Sequence, residues 1–83
     1  MDDRTRREYD WRTVSAVTAV LETVGSATDR SIETLPFLND SVDPESLELL
    51  FDGGSSDLVV SFRYVGYRVT VHGDGWVVAE PSE

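Results

Sequence analysis

Residues 62–71, FRYVGYRVTV, hold two runs of alternating side chains that meet at Gly66. Phe62 and Tyr64 alternate with Arg63, and beyond the glycine Tyr67, Val69 and Val71 alternate with Arg68 and Thr70. Strict alternation interrupted by one glycine predicts two antiparallel strands about a tight turn. Extended outward, the first strand spans about 57–65, with Leu58, Val60, Phe62 and Tyr64 on one face and Val59, Ser61, Arg63 and Val65 on the other. The second spans about 67–72. GDG at 73–75 reverses the chain into a third strand, about 76–80, which Pro81 stops. The register of this last hairpin stays open. A two-residue loop (Asp74-Gly75) and a three-residue loop (Gly73-Asp74-Gly75) put Trp76 on opposite faces.

Upstream of 57 the apolar period becomes helical. Val14, Val17, Leu21 and Val24 form a stripe, widened by Val20, on a helix over about 13–25, with Asp10 or Thr13 as cap and Gly25 suited to the left-handed position past its end. DRSIETL offers a second, short helix over about 29–35, with Asp29 as cap and Ile32 and Leu35 facing inward until Pro36 stops it. Phe37, Leu38 and Val42 read as apolar anchors of the following loop. The third signal, VDPESLELLF, is the best formed. Asp43 is the N-cap, Pro44 holds the first helical position, Glu45 complements the dipole, and Leu47, Leu50 and Phe51 face inward over about 44–51. DGGSS at 52–56 is a flexible link. The expected fold is α+β: a two-layer sandwich of N-terminal helices on a three-stranded antiparallel meander. It forms one domain over 10–80, with a flexible tail at 1–9 and a short one at 81–83.

Composition points to a salt-rich setting. The 83-residue chain has a net charge of −9 and no cysteine, and all seven of its basic residues are arginine. Self-repulsion at that charge opposes compaction in dilute buffer, and molar salt with its short Debye length removes most of the penalty. An acidic, lysine-free surface therefore fits a halophile's cytoplasm. No apolar h-region opens the sequence and no stretch approaches the length of a membrane span, so a soluble cytoplasmic protein is expected.

At this point the residues resemble a known family. LPFLNDSVDPESLELLF followed by VSFRYVGYRVTVHGDGWV is similar to the first-type halobacterial output domain, a small module of haloarchaeal signalling proteins. The likeness rests on Leu35, Pro36, Leu38, Val42, Asp43, Pro44, Leu47, Leu50 and Phe51, then on Phe62, Tyr64, Gly66, Tyr67, Val69, Val71 and Gly75, and runs from about Thr13 to Val78. Phe37 and Val65 stand where the family often has proline and cysteine. The resemblance implies an output or connector module, found alone or attached to receiver and sensor domains, and does not imply an activity. The 83 residues leave no room for such a domain, so the stand-alone form is expected, working without a cofactor.

Few residues offer chemistry. If Tyr64 and Tyr67 flank the turn, Arg63 and Arg68 lie opposite each other on the face away from the helices. Like charges so placed destabilise a strand pair, so a carboxylate or anion is expected beside them. That face, shared by Ser61, Thr70, Val59 and Val65 and open to Val77 and Ala79, reads as a contact surface for an acidic protein, a receiver or sensor domain, or for a second copy. The alternatives are salt-screened arginines, or Tyr9 and Trp11 folding over the face. Nucleic acid is disfavoured, since residues 13–57 hold nine acids against one arginine. His72 lacks an acid or nucleophile at readable spacing, Asp43, Glu45 and Glu48 are explained by capping, the helix dipole and an acidic halophilic surface, Ser55 and Ser56 sit in a link, and Tyr64 and Tyr67 share the core parity. The sequence thus reads as a non-catalytic signalling module acting by protein contact. The rival readings are a transcription-related nucleic-acid binder and a purely structural homodimer subunit.

Overall fold

Four antiparallel strands, in the order β1-β4-β3-β2, carry two helices on one face. The computed structural model describes residues 4–38, 41–52 and 56–82. The elements are β1 (Thr5–Glu8), α1 (Ala16–Thr28), a 3-10 turn (Ile32–Thr34), α2 (Pro44–Asp52), β2 (Val59–Tyr64), β3 (Tyr67–His72) and β4 (Trp76–Pro81). The class is α+β, as the alternation of period implied. Ala16, Ala19, Val20 and Val24 of α1 and Leu47 and Phe51 of α2 close on Tyr64, Val69, Val71, Val77 and Ala79 of the sheet.

The extra strand comes from the segment read as a tail. Thr5, Arg6, Arg7 and Glu8 pair with Ala79, Val78, Val77 and Trp76. A TRRE stretch has little strand preference of its own. The open edge of β4 supplies the backbone partners, which is how tertiary context overrides propensity in sheets. The other expected tail is also tied, since Pro81 belongs to β4 and the Ser82 N–H donates to the Gly66 carbonyl at 2.9 Å.

The helices shift in detail. α1 starts at Ala16 because the Ser15 hydroxyl accepts from the Thr18 N–H at 3.2 Å, while Asp10 instead closes a turn through its carbonyl, which accepts from Thr13 and Val14. Gly25 does not end α1. Asp29 takes the left-handed position, φ 56°, and the Arg30 N–H returns to the Gly25 carbonyl at 3.0 Å. The expected second helix is reduced to the single 3-10 turn, because Asp29 is spent terminating α1 and Pro36 follows too soon. α2 begins as read, with Asp43 oxygens accepting from the Glu45 N–H at 3.1 Å and the Ser46 hydroxyl at 2.9 Å. Three apolar residues assigned inward are exposed: Ile32, Leu50 (48%) and Phe37 (80%). Leu47 and Phe51 already fill the single face that a two-turn helix can bury. Part of the expected 52–56 link, including Ser55, lies outside the described residues.

Two loops set the register. Val65-Gly66 is a two-residue turn with both φ positive, 55° and 78°, as a primed hairpin turn requires. Gly73-Asp74-Gly75 is a three-residue loop, since Val71 pairs with Val77. Trp76 consequently faces away from the helices, and Val77 and Ala79, which the open register also allowed on that outer face, are fully buried.

Val65 is a β-branched residue in the left-handed region, where a Cβ costs about 1–2 kcal/mol. Val65→Asn is expected to raise stability by about 1 kcal/mol, less the small apolar contact that half-buried Val65 makes with the core. A higher denaturant midpoint at unchanged slope is the expected observation. A lower midpoint would mean that Val65's packing outweighs its strain.

Candidate functional site

The strand ladder arranges the outer sheet face in three rows. Nearest the Val65-Gly66 turn, Arg63 faces Arg68, and Glu80 stands next to Arg68 on β4. In the middle row Ser61, Thr70, Val78 and Arg6 follow one another across all four strands. The Ser61 and Thr70 hydroxyls are 3.4 Å apart. In the last row Val59 faces His72 on one side of the sheet, and Trp76 faces Glu8 on the other.

Four of the five residues singled out in the sequence, Ser61, Arg63, Arg68 and Thr70, therefore share one surface. Val65 does not join their rows. It occupies the turn past the end of β2 and leans on the core. The carboxylate expected beside the arginine pair is present in the row as Glu80. A further cation comes from β1, whose Arg6 guanidinium lies 5.5 Å from the centre of the Trp76 ring. Arg6, Trp76, Val78 and Glu80 were not legible as site residues. Their placement needed the β1 pairing and the length of the last loop, and neither has a local signal.

The face is electrostatically unlike the rest of the chain. Its strand residues include three arginines (6, 63, 68) and two glutamates (8, 80), a net of +1 in a protein of net −9. It is also partly apolar, with Val59 55% and Trp76 36% exposed.

The aromatic N-terminal segment does not cover this surface. Tyr9 and Trp11 cross to the helix side, their rings stacked at 6.2 Å with 15° between planes, and Trp11 packs on Phe51 at 5.5 Å. The Trp11 indole N–H donates to the His72 carbonyl at 3.2 Å, and the Tyr9 and Thr23 hydroxyls meet at 3.3 Å. Apolar rings on a short connector gain more from a core with a hydrogen-bond partner than from an exposed sheet.

The two tyrosines flanking the turn are structural. Tyr64 is buried and its hydroxyl donates to the Pro36 carbonyl; Tyr67 donates to the Ala27 carbonyl at 3.2 Å. Burial pushes the Tyr64 hydroxyl above its ordinary value, with the Arg30 charge opposing the shift. The exposed Asp10 carboxyl is held below its ordinary value, chiefly by the Arg12 side chain at 3.1 Å and then by the Arg12 backbone N–H.

On the helix side a groove between Trp11–Ala16 and α2 is lined by Trp11, Val14, Leu49 and Phe51 together with the acidic Glu45, Glu48 and Asp52. Among the described residues, no group of three His, Asp or Glu side chains could hold a metal ion, and no helix is long and apolar enough to cross a membrane.

No curated protein and no solved structure matches the chain. The model of halobacterial output domain 1 does match, over residues 12–81, a span that includes both helices and β2–β4 and begins just after β1. With most of its length so matched, the chain belongs to the halobacterial output domain 1 family.

Proposed function

We propose that this domain is a non-catalytic output or connector module of haloarchaeal signal transduction, working in the cytoplasm by protein contact through the outer sheet face. The observation that carries this reading is the contrast in charge. A face of net +1, with exposed Trp76 and Val59, stands on a chain of net −9. An acidic surface, such as that of a halophilic receiver domain, complements it, and in molar salt the apolar residues supply most of the affinity. The strained Val65 turn beside Arg63 and Arg68 supports the same reading, because local conflicts of this kind concentrate where a surface has work other than folding.

The test is nuclear magnetic resonance mapping on the labelled domain in about 2 M potassium chloride, a salt level that leaves only contact-range electrostatics. A phosphorylated haloarchaeal receiver domain is the titrant. Amides of Ser61, Arg63, Arg68, Thr70 and Trp76 are expected to shift, and Arg63→Glu/Arg68→Glu should weaken binding about tenfold or more with the fold intact. Shifts centred on Trp11 and Leu49 would move the function to the helix-side groove. A short single-stranded DNA at the same salt is the counter-titration. Saturable binding lost in the same double variant would make the face a nucleic-acid platform instead.

A further inference from the structure

The two edges of the sheet differ in kind. β1 is four residues long and presents Arg6, Arg7 and Glu8, a charged edge of the sort that resists pairing. β2 is six residues, VVSFRY, free of proline and carrying one charge. Among the described residues no strand pairs with its outer side.

The ladder identifies which backbone groups that side offers. Gly73 N–H donates to the Leu58 carbonyl at 2.7 Å, and Leu58 extends the pairing in which Val59 faces His72. Leu58, Val60, Phe62 and Tyr64 therefore direct their backbone groups toward β3, and Val59, Ser61 and Arg63 direct theirs outward. These three are symmetric about Ser61.

We propose that β2 pairs antiparallel with β2 of a second copy of this chain, with the two-fold axis at Ser61, so that two four-stranded sheets become one of eight strands. Ser61 then faces its own counterpart, and Val59 faces Arg63 of the other copy. All outward N–H and C=O groups of the three residues are satisfied, about six hydrogen bonds in all. Centring on Phe62 instead leaves Val59 opposite Val65, which lies in the turn and cannot continue a strand. Centring on Arg63 sets arginine against arginine. On the inner side Val60 meets Phe62 of the other copy, two pairs of side chains that the monomer leaves half-buried. α1 lies across β4, β1 and β3, so β2 is the strand it covers least. The arrangement closes on itself and does not propagate into a filament. It leaves the arginine rows of both copies on one continuous outer face, and it stands independently of what that face binds.

The experiment is molar mass by light scattering at about 2 M and about 0.1 M potassium chloride, since net −9 per copy opposes association once screening falls. Wild type is expected at twice the 9.2 kDa chain mass in high salt and to dissociate in low salt. Ser61→Pro should be a folded monomer in high salt, because the N–H it removes points out of the sheet, where an edge tolerates proline. Ser61→Cys should cross-link on oxidation, as a directly opposed pair lies about 5.5 Å apart, within disulfide range. The chain has no other cysteine to confuse the result. Val59→Cys should not cross-link, because its counterpart is four residues along, about 14 Å away. A monomeric wild type in high salt overturns the proposal. So does a dimer in which Ser61→Pro remains dimeric, or in which Val59→Cys cross-links as readily as Ser61→Cys.

Discussion

Gly75→Ala is expected to cost this domain about 2–4 kcal/mol, out of a total of about 4–12 kcal/mol typical for 83 residues. Two independent penalties act at one atom. Gly75 has φ +110°, a backbone conformation that side chains rarely adopt. A Cβ there would also be driven into the carbonyl oxygen of Tyr9, a backbone atom held in place by its own N–H, which donates to the Gly75 carbonyl at 2.8 Å. Relief requires the Tyr9 segment to lift, and with it the register of β1, whose Glu8 pairs with Trp76. Thermal unfolding in about 2 M potassium chloride should show a fall in Tm of roughly 10 °C or more for a domain of this size. Hydrogen exchange should place the loss first at β1 and Tyr9. Gly66→Ala is the control: Gly66 has φ 78°, but a Cβ there meets nothing, so only the conformational penalty applies. Equal losses at the two glycines would refute the argument from close approach.

Phe51→Ala is expected to cost about 3–5 kcal/mol, enough to leave the domain mostly unfolded in low salt. Phe51 is buried at the end of α2, and its ring meets Trp11 at 49°. It is thus the point where α2, the N-terminal crossing and, through the Trp11 indole N–H, the end of β3 converge. The cavity would open between two elements that meet at this ring, leaving Leu47 as the one fully buried apolar anchor of α2. A nine-residue helix is not stable by itself. A double-mutant cycle with Trp11→Phe should return a coupling of about 0.5–1.5 kcal/mol, the worth of the ring pair beyond its burial. A coupling of zero would mean that Trp11 packs on Phe51 by default and contributes nothing specific. A stability loss under about 1 kcal/mol for Phe51→Ala would mean that α2 is not part of the cooperative unit.

Local chemistry alone determined a good part of this protein. The VG turn between two alternating runs places Arg63 opposite Arg68, because a two-residue loop leaves one register. Asp43-Pro44 starts α2 where cap chemistry puts it, and the helical stripe of α1 finds the core with Val20 and Val24. The DP..L..LF and F.Y.GY.V.V pieces carried the resemblance to the family, and the salt-rich setting read separately from net charge and the absence of lysine agreed with it.

Tertiary structure decided the rest, and each case has a long-range cause. Residues 5–8 have no strand signal, so β1 exists because β4 has an edge to offer. The parity of Trp76 depends on loop length, and that length is held where the Tyr9 backbone closes on Gly75. Leu50 and Phe37 are as apolar as Leu47 and Leu38, yet a core this small has room for only one of each pair. The outer face, with Arg6, Trp76, Val78 and Glu80 beside the arginine pair, follows from these same two decisions. A surface assembled from four strands is a property of their pairing, and pairing between distant segments leaves no mark in either segment alone.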